Sequence, residues 1–584
     1  MVSPSLSMQK KMAFVLAVVF AAGFVVLIGR LVKLQLVDGG YYQQRALNQQ
    51  LSVTTIHANR GTIFDRNLKP IAQSATVWDV YVSPSYLKTD KTSTAEQKRQ
   101  KIASDLSKIL GTDSQTLFNK INKNTSYVVV ASKVENDVAT LVREYIQNNN
   151  VSCIGLVEDS KRYYPFNNFA SQLIGFTGTD NQGLSGIEAY YNSVLKGTDG
   201  RVVTAKNAAG TDMPYNYQDR VDPQNGTSLV LTIDEVIQNC LEKNLDSALV
   251  DNNVGIGVTG IVMDVKTGEI LGMATEPSFD PNSPFTITNP TEQQKIATLS
   301  GNAKSTEIYN AQQAMWRNKA ITDPYEPGST FKIITAAAAL NEGVVKESDM
   351  FFDPGSINVA GVNISCWKAG GHGSENFLQG FENSCNVVFI EVGQRLGVMN
   401  FYKYFSDFGL AAKTGIDLPG EAESIFYTAK QMGPVELASC SFGQSNKITP
   451  IQLITAVCSV ANGGYLVQPH VVKEELDSNG NVVKTFGTTV KRQVISTEVS
   501  KEMCTMMEKE VSEGTGSNAY VAGYRVGGKT GTSQKLDKLS DPNALIASFV
   551  GIAPCDNPSV QSRQVVPPAR VATWSVVSRK SRLE

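Results

Sequence analysis

Histidine is nearly missing from this sequence: His57, His372 and His470 are the three in 584 residues, and they lie far apart. No group of cysteine and histidine has the short spacing of a zinc motif, so the sequence argues against a metal hydrolase and leads us to expect no metal. A catalytic base must then come from another residue type. An excess of either charge is lacking too: 53 basic residues stand against 55 acidic ones, a net charge of −2, with no basic footprint for nucleic acid. Eight cysteines in so long a chain do not make a disulfide scaffold. Cys240, Cys440 and Cys458 fall on apolar helical patterns and read as small buried hydrophobes. Internal repeats and low-complexity linkers are absent. What is present, 42% hydrophobic and 18% charged residues, suits a globular chain of two or three domains.

One long apolar run exists. Met12 to Gly29 is uncharged and lies between Lys10–Lys11 and Arg30. As a helix it just spans a bilayer core. A cleaved signal peptide would end near Ala21-Ala22-Gly23, yet the run continues through Phe24 to Ile28, which favours a retained single-pass anchor. A buried core helix fits poorly, since only a short polar tail precedes the run. Arg30 and Lys33 balance Lys10 and Lys11, so flanking charge does not set the orientation. The body of the protein is expected outside the membrane.

Beyond the anchor, residues 74–160 mix short strands with helices at 94–110 and 135–149. The polar stretch 219–227, DRVDPQNGT, reads as a domain boundary. From Ser228 onward the pattern changes to strand, helix (235–249), then strand, turn and strand (257–275). An Ala-rich helix follows at 329–341, and strands are expected at 523–526 and 547–553. The class is α+β, an antiparallel sheet with helices packed on it.

Three short motifs follow one another. Ser329-Thr330-Phe331-Lys332 comes directly after the chain breaker Pro327-Gly328 and opens a helix. Its spacing puts Lys332 one turn on, beside the Ser329 hydroxyl, where a depressed amine can act as base. Alone this signal is weak, for Ser7-Met8-Gln9-Lys10 matches it by chance. Ser384-Cys385-Asn386, in a helical stretch, offers a hydroxyl and an amide; alone it reads equally as a polar helix end. Lys529-Thr530-Gly531-Thr532, read as an edge strand, offers an ammonium, two hydroxyls and a close-approach glycine for a carboxylate-ended extended peptide. The alternative is a solvent-exposed turn. Residues 523–530 also match the phosphate-loop pattern G-x-x-x-x-G-K-[ST], but no apolar helix follows and Pro542 ends the stretch, so a nucleotide site is rejected.

Together and in order, these motifs resemble the active-site set of penicillin-binding proteins and serine β-lactamases. YEPGSTFK, GEILGMAT, NGG at 462–464 and VGGKTGT, with RGTIFDRN and YYPF…IGFTGTDNQGLSGIE earlier, are similar to class B penicillin-binding proteins. Cys366-Trp367-Lys368 and Gly370-Gly371-His372-Gly373 are similar to their sporulation and division branch in Gram-positive bacteria. The resemblance runs from about residue 12 to 559. It implies a penicillin-binding transpeptidase fold with an N-terminal pedestal and one transmembrane helix. It implies domains at 1–11 (cytoplasmic tail), 12–29 (anchor), 30–220 (pedestal of the dimerisation type), 221–560 (transpeptidase) and 561–584 (atypical tail). The implied activity is a D,D-transpeptidase that cross-links peptidoglycan stem peptides in division or sporulation and is acylated by penicillins. Ser329 would be nucleophile and Lys332 base. Ser384 would relay the proton to the leaving amine, and Asn386 would hold Lys332 and the substrate. Lys529, Thr530 and Thr532, with Gly531, would bind the carboxylate. Backbone N–H groups of Ser329 and Thr532 would form the oxyanion hole. No cofactor is implied. The implied partners are the membrane, a separate glycan polymerase and division or sporulation proteins. A catalytically impaired scaffold and a penicillin sensor of the same fold are the alternatives.

Three departures stand out. Cys385 sits inside the second motif with Cys366 nineteen residues before it. Either a disulfide that silences the site by distorting the Ser384 loop, or two free thiols, fits. Ser445 stands where glycine is expected after Gln444. From Gln561 the chain no longer resembles the family and has the look of a shifted reading frame, although 571–577 still reads as a strand without the expected last helix.

Overall fold

The computed structural model describes residues 5–41, 51–87, 94–123, 125, 127–205, 218–252, 254, 257–534, 545–556 and 570–577. Helix Leu6–Val32 has no buried residue, and the apolar segment through Val37 is long and apolar enough to cross a membrane. At 1.5 Å per residue its 27 residues reach about 40 Å.

The chain divides into two compact units. The smaller comprises Met1–Ala58, Thr76–Ser160 and Thr198–Gln224. Its helix Ala95–Leu110 starts with a Thr94/Gln97 capping box and ends at Gly111, whose φ is 64°. That helix buries Ile102, Ala103 and Leu106 in a core with Val80, Val82, Leu117, Ile121 and Val142.

The larger unit comprises Asn59–Ala75, Lys161–Gly197 and Asn225–Glu584. By packing, 59–75 and 161–197 group with the larger unit. Strand Ile63–Phe64 pairs with Ser228–Leu231, and Tyr164 exchanges hydrogen bonds with Asn282, which ties these segments to the rest of that unit; a buried ion cluster ties them to each other. Arg60 and Arg162 both donate to Glu188, Arg162 Nε at 2.7 Å, with all three side chains almost fully buried. Burial alone would raise the Glu188 pKa; the two guanidiniums outweigh it and hold the carboxyl below its usual range.

Among the sheets of the larger unit, one has five antiparallel strands, in the order Ile270–Glu276, Gly257–Asp264, Arg570–Val577, Leu545–Ala553, Gly527–Gln534. Strand Gly257–Asp264 is buried at every residue. Its Val258 and Val262 face Leu241 and Leu245 of helix Glu235–Asp251, while Ile261 and Met263 enter the main core with helices Lys332–Asn341 and Pro450–Ala461. Arg570–Val577 fills the middle of this sheet, paired on both sides. The stretch that looked foreign to the family thus supplies the central strand; 561–569 and 578–584 lie outside the described residues.

Two local expectations change. Cys440 and Cys458 are buried, but Cys240 is exposed, because helix Glu235–Asp251 turns Gln238, Leu241 and Leu245 inward instead. The third motif is itself the strand Gly527–Gln534; the residues 523–526 before it turn, with φ 84° at Gly523.

Candidate active site

A short 3-10 turn, Gly328–Phe331, carries Ser329 and leads directly into helix Lys332–Asn341. Gly328 has φ 56°, and a Cβ there would lie 2.7 Å from the Thr532 carbonyl oxygen, so only glycine fits. Gly531 is equally constrained: a Cβ would meet Ser548 Oγ at 2.7 Å and Pro327 O at 2.9 Å. Ser533 Oγ donates to Glu326 O at 2.7 Å. The Ser329 turn and the edge strand are thereby locked together. That strand pairs with Leu545–Ala553 and, among the described residues, with nothing on its other side.

Lys332 has no exposed surface. Its Nζ lies 2.7 Å from Ser384 O, 2.8 Å from Asn386 Oδ1 and 3.3 Å from Ser384 Oγ. Burial pushes its pKa well below the usual lysine value, and the charge of Lys529 pushes the same way. Two of the three oxygens can only accept, so a neutral amine spends both N–H bonds there and keeps its lone pair for a hydroxyl. Among the described residues Ser329 Oγ makes no hydrogen bond, and it remains half-buried. Ser384 does not continue a helix. It holds φ 53° between helix Phe377–Glu382 and the helix that begins at Asn386, a left-handed setting in which its carbonyl and hydroxyl both face Lys332.

Lys529 is also fully buried. Its Nζ lies 2.9 Å from Glu510 Oε1 and 3.3 Å from Thr515 Oγ1. Burial lowers its pKa and Glu510 partly opposes that. Its charge is directed to Glu510, whereas Thr530 is half-buried and Thr532 exposed. Thr515 Oγ1 lies 3.2 Å from Thr530 Oγ1. The sequence reading missed Glu510 and Thr515, which carry no motif of their own. Ser445 adopts φ 64°, the backbone glycine would have taken, and donates its N–H to Glu326 at 3.0 Å.

Behind Ser384 lies a second cluster. Cys366 and Cys385 are both free, with sulfurs 4.0 Å apart. His372 Nδ1 lies 3.6 Å from Cys366 Sγ and 2.8 Å from Asp353 Oδ2, and Cys385 Sγ donates to that same oxygen at 3.2 Å. One donor atom from each of these four residues falls within 4.8 Å of all the others. The fold has assembled metal-type ligands that their spacing in the chain did not reveal.

The family description "Penicillin binding protein transpeptidase domain" matches residues 258–567, and "Penicillin-binding Protein dimerisation domain" matches 55–231. Stage V sporulation protein D of Bacillus subtilis (strain 168) is 37% identical over 95% of this chain and 81% of its own length. Penicillin-binding protein PbpB of Mycobacterium tuberculosis is 28% identical over 87% of this chain and 74% of its own. In fold, the chain is similar to the crystal structure of penicillin binding protein 2X from Streptococcus thermophilus. The TM-score is 0.71 at 24% identity, covering 91% of this chain and 78% of that one. The chain belongs to the penicillin-binding proteins, in the class B group that joins a dimerisation domain to a transpeptidase domain.

Proposed function

We propose that this chain is a serine-acylating peptidoglycan D,D-transpeptidase, and that penicillins stall it as acyl-enzymes. The observation that carries the reading is Lys332: fully buried, its pKa depressed, held by Ser384 and Asn386 one turn after Ser329. Ser329 Oγ attacks the carbonyl carbon of the penultimate D-Ala, and its proton passes to Lys332. The C–N bond to the terminal D-Ala breaks, with Ser384 handing a proton to the departing amine and taking the Lys332 proton in its place. An amine from a neighbouring stem peptide then attacks the ester; a new amide forms and Ser329 regains its proton. The open edge of strand Gly527–Gln534 receives the extended peptide by strand addition. Thr530 and Thr532 offer hydroxyls to its carboxylate, and Lys529 supplies positive field from beneath. Backbone N–H groups of Ser329 and Thr532 serve the oxyanion, each such donor being worth about 3 kcal/mol of barrier.

On this reading residues 12–29 anchor the protein with residues 30–220 as pedestal, 221–560 as the extracytoplasmic transpeptidase and 561–584 as its tail. A separate polymerase supplies glycan strands, and the work belongs to division or sporulation. The full chain in detergent, given a peptide ending in D-Ala-D-Ala and an acceptor amine, should release D-Ala and form the cross-linked product. Ser329→Ala should do neither; equal turnover by that variant would overturn the proposal.

A further inference from the structure

We propose that the cleft along helix Gly301–Trp316 binds a neutral, N-acetylated carbohydrate, the glycan strand from which the stem peptides hang. The proposal deepens the transpeptidase reading and rests on it. The cleft encloses about 820 Å³ and lies wholly within the larger unit, where residues 184–186 and 418–420 form its other walls. Sites for small molecules commonly hold about 300–1,000 Å³.

Aromatic rings make one wall. Phe176 lies 4.9 Å from Trp316 and 5.8 Å from Phe285, and Phe285 meets Trp316 edge-on at 5.6 Å. Trp316 Nε1 already donates to Pro284 O at 2.8 Å, so this ring offers the cleft carbon surface only. Phe285 is 55% exposed and Tyr309 61%, two large rings left open along one groove. A ring face carries negative charge density and attracts the polarised C–H bonds on one side of a sugar ring.

The polar lining is of amides and hydroxyls. Asn310 and Gln313 stand one turn apart on the helix, and among the described residues their side chains have no hydrogen-bond partner. Ser185, on the opposite wall, has its Oγ buried without a partner, and a change of rotamer can offer it to a ligand hydroxyl. Among the described residues the only charge lining the cleft is Arg317, which pairs with Asp323 at 2.7 Å. A neutral site of this kind disfavours an anion or a charged peptide, and an apolar helix from another protein would leave Ser185, Asn310 and Gln313 unsatisfied. An N-acetylated sugar supplies both halves of the match: a C–H face for the rings, and hydroxyls with an amide for the polar side chains.

The cleft is also close to the chemistry. Thr322 lines it, and Ser329 follows seven residues later. Seven extended residues span at most about 25 Å, and the bend at Gly328, with φ 56°, shortens that path. An extended peptide of five residues covers about 17 Å. A glycan strand held here keeps its own stem peptide in the neighbourhood of Ser329, which raises the local concentration of the donor.

The test is titration of the full chain, in a detergent without a sugar headgroup, with the tetramer of N-acetylglucosamine, read by protein fluorescence and saturation-transfer NMR. Saturable binding is expected. Tyr309→Ala and Gln313→Ala should each weaken it at least fivefold, while Tyr465→Ala, an exposed ring elsewhere, binds as the wild type does. The glucose tetramer, which lacks the acetamido group, should bind at least fivefold more weakly. No saturable binding by the folded wild type overturns the proposal, as do undiminished binding in both cleft variants or equal binding of the two tetramers. Self-association that Tyr309→Ala abolishes, without sugar binding, assigns the cleft to a second copy and also overturns it. Where a variant does not fold, the wild type decides: transfer from aromatic ring protons to the sugar is expected, and none overturns the site. Penicillin acylation of the same preparation separates the two readings. A chain that is acylated but binds no tetramer loses this cleft alone; one that binds the tetramer and takes no penicillin keeps the carbohydrate site and loses the transpeptidase reading.

Discussion

Asn386 Oδ1 lies 2.8 Å from Lys332 Nζ, and Asn386 is the first residue of its helix, directly after Cys385. The amide therefore fixes one N–H of the base from a rigid helix start. Asn386→Ala should slow penicillin acylation about 10- to 100-fold, matching the loss of a hydrogen bond of about 1.5–3 kcal/mol. Stopped-flow acylation of the two proteins checks this; equal rates would remove Asn386 from the site.

Lys332 must be neutral to accept a proton, and its pKa is depressed by burial and by Lys529. The acylation rate should thus rise with pH through that depressed value and level off below the ordinary lysine range. Stability follows the same sign. Between the depressed and the ordinary value the unfolded chain binds a proton that the folded chain does not, so this site stabilises the fold more as pH rises. A rate that rises only within the ordinary lysine range would contradict the assignment of the base.

Glu510 and Lys529 form an ion pair without exposure on either side. Removing one partner leaves a buried charge alone, at about 3–5 kcal/mol. Glu510→Gln should lower the denaturation midpoint and weaken penicillin binding, because Lys529 loses its tether beneath Thr530. A variant as stable as the wild type in chemical denaturation would show the pair to be dispensable.

Gly531→Val should abolish acylation more completely than it lowers stability. Its side chain would drive into Pro327 O and Ser548 Oγ, and so push the edge strand away from the Ser329 turn. Circular dichroism with a penicillin-binding assay separates the two effects; normal acylation would refute the close packing.

The helix after Ser329 was legible, because a chain breaker, a polar first turn and an alanine-rich core all mark one helix start. Strand 257–264 was legible from its continuous apolar run. The left-handed turn at Ser384 was not: Ser-Cys-Asn has no local signature, and its φ of 53° is imposed by Lys332 and by the packing around Cys385. Nor was the Asp353–His372 pairing, which arises from a strand ladder rather than from spacing in the chain. The strand at 571–577 was legible within a charged, proline-containing tail, but its central place was not, because that comes from its neighbours: both Gly257–Asp264 and Leu545–Ala553 need a partner at that position.

The most direct test is intact-protein mass spectrometry of the full chain after penicillin, followed by digestion. A stable adduct of one penicillin on the peptide holding Ser329, absent from Ser329→Ala, is the expected result. A folded wild-type chain that gains no adduct, or an adduct that survives the substitution, would contradict it.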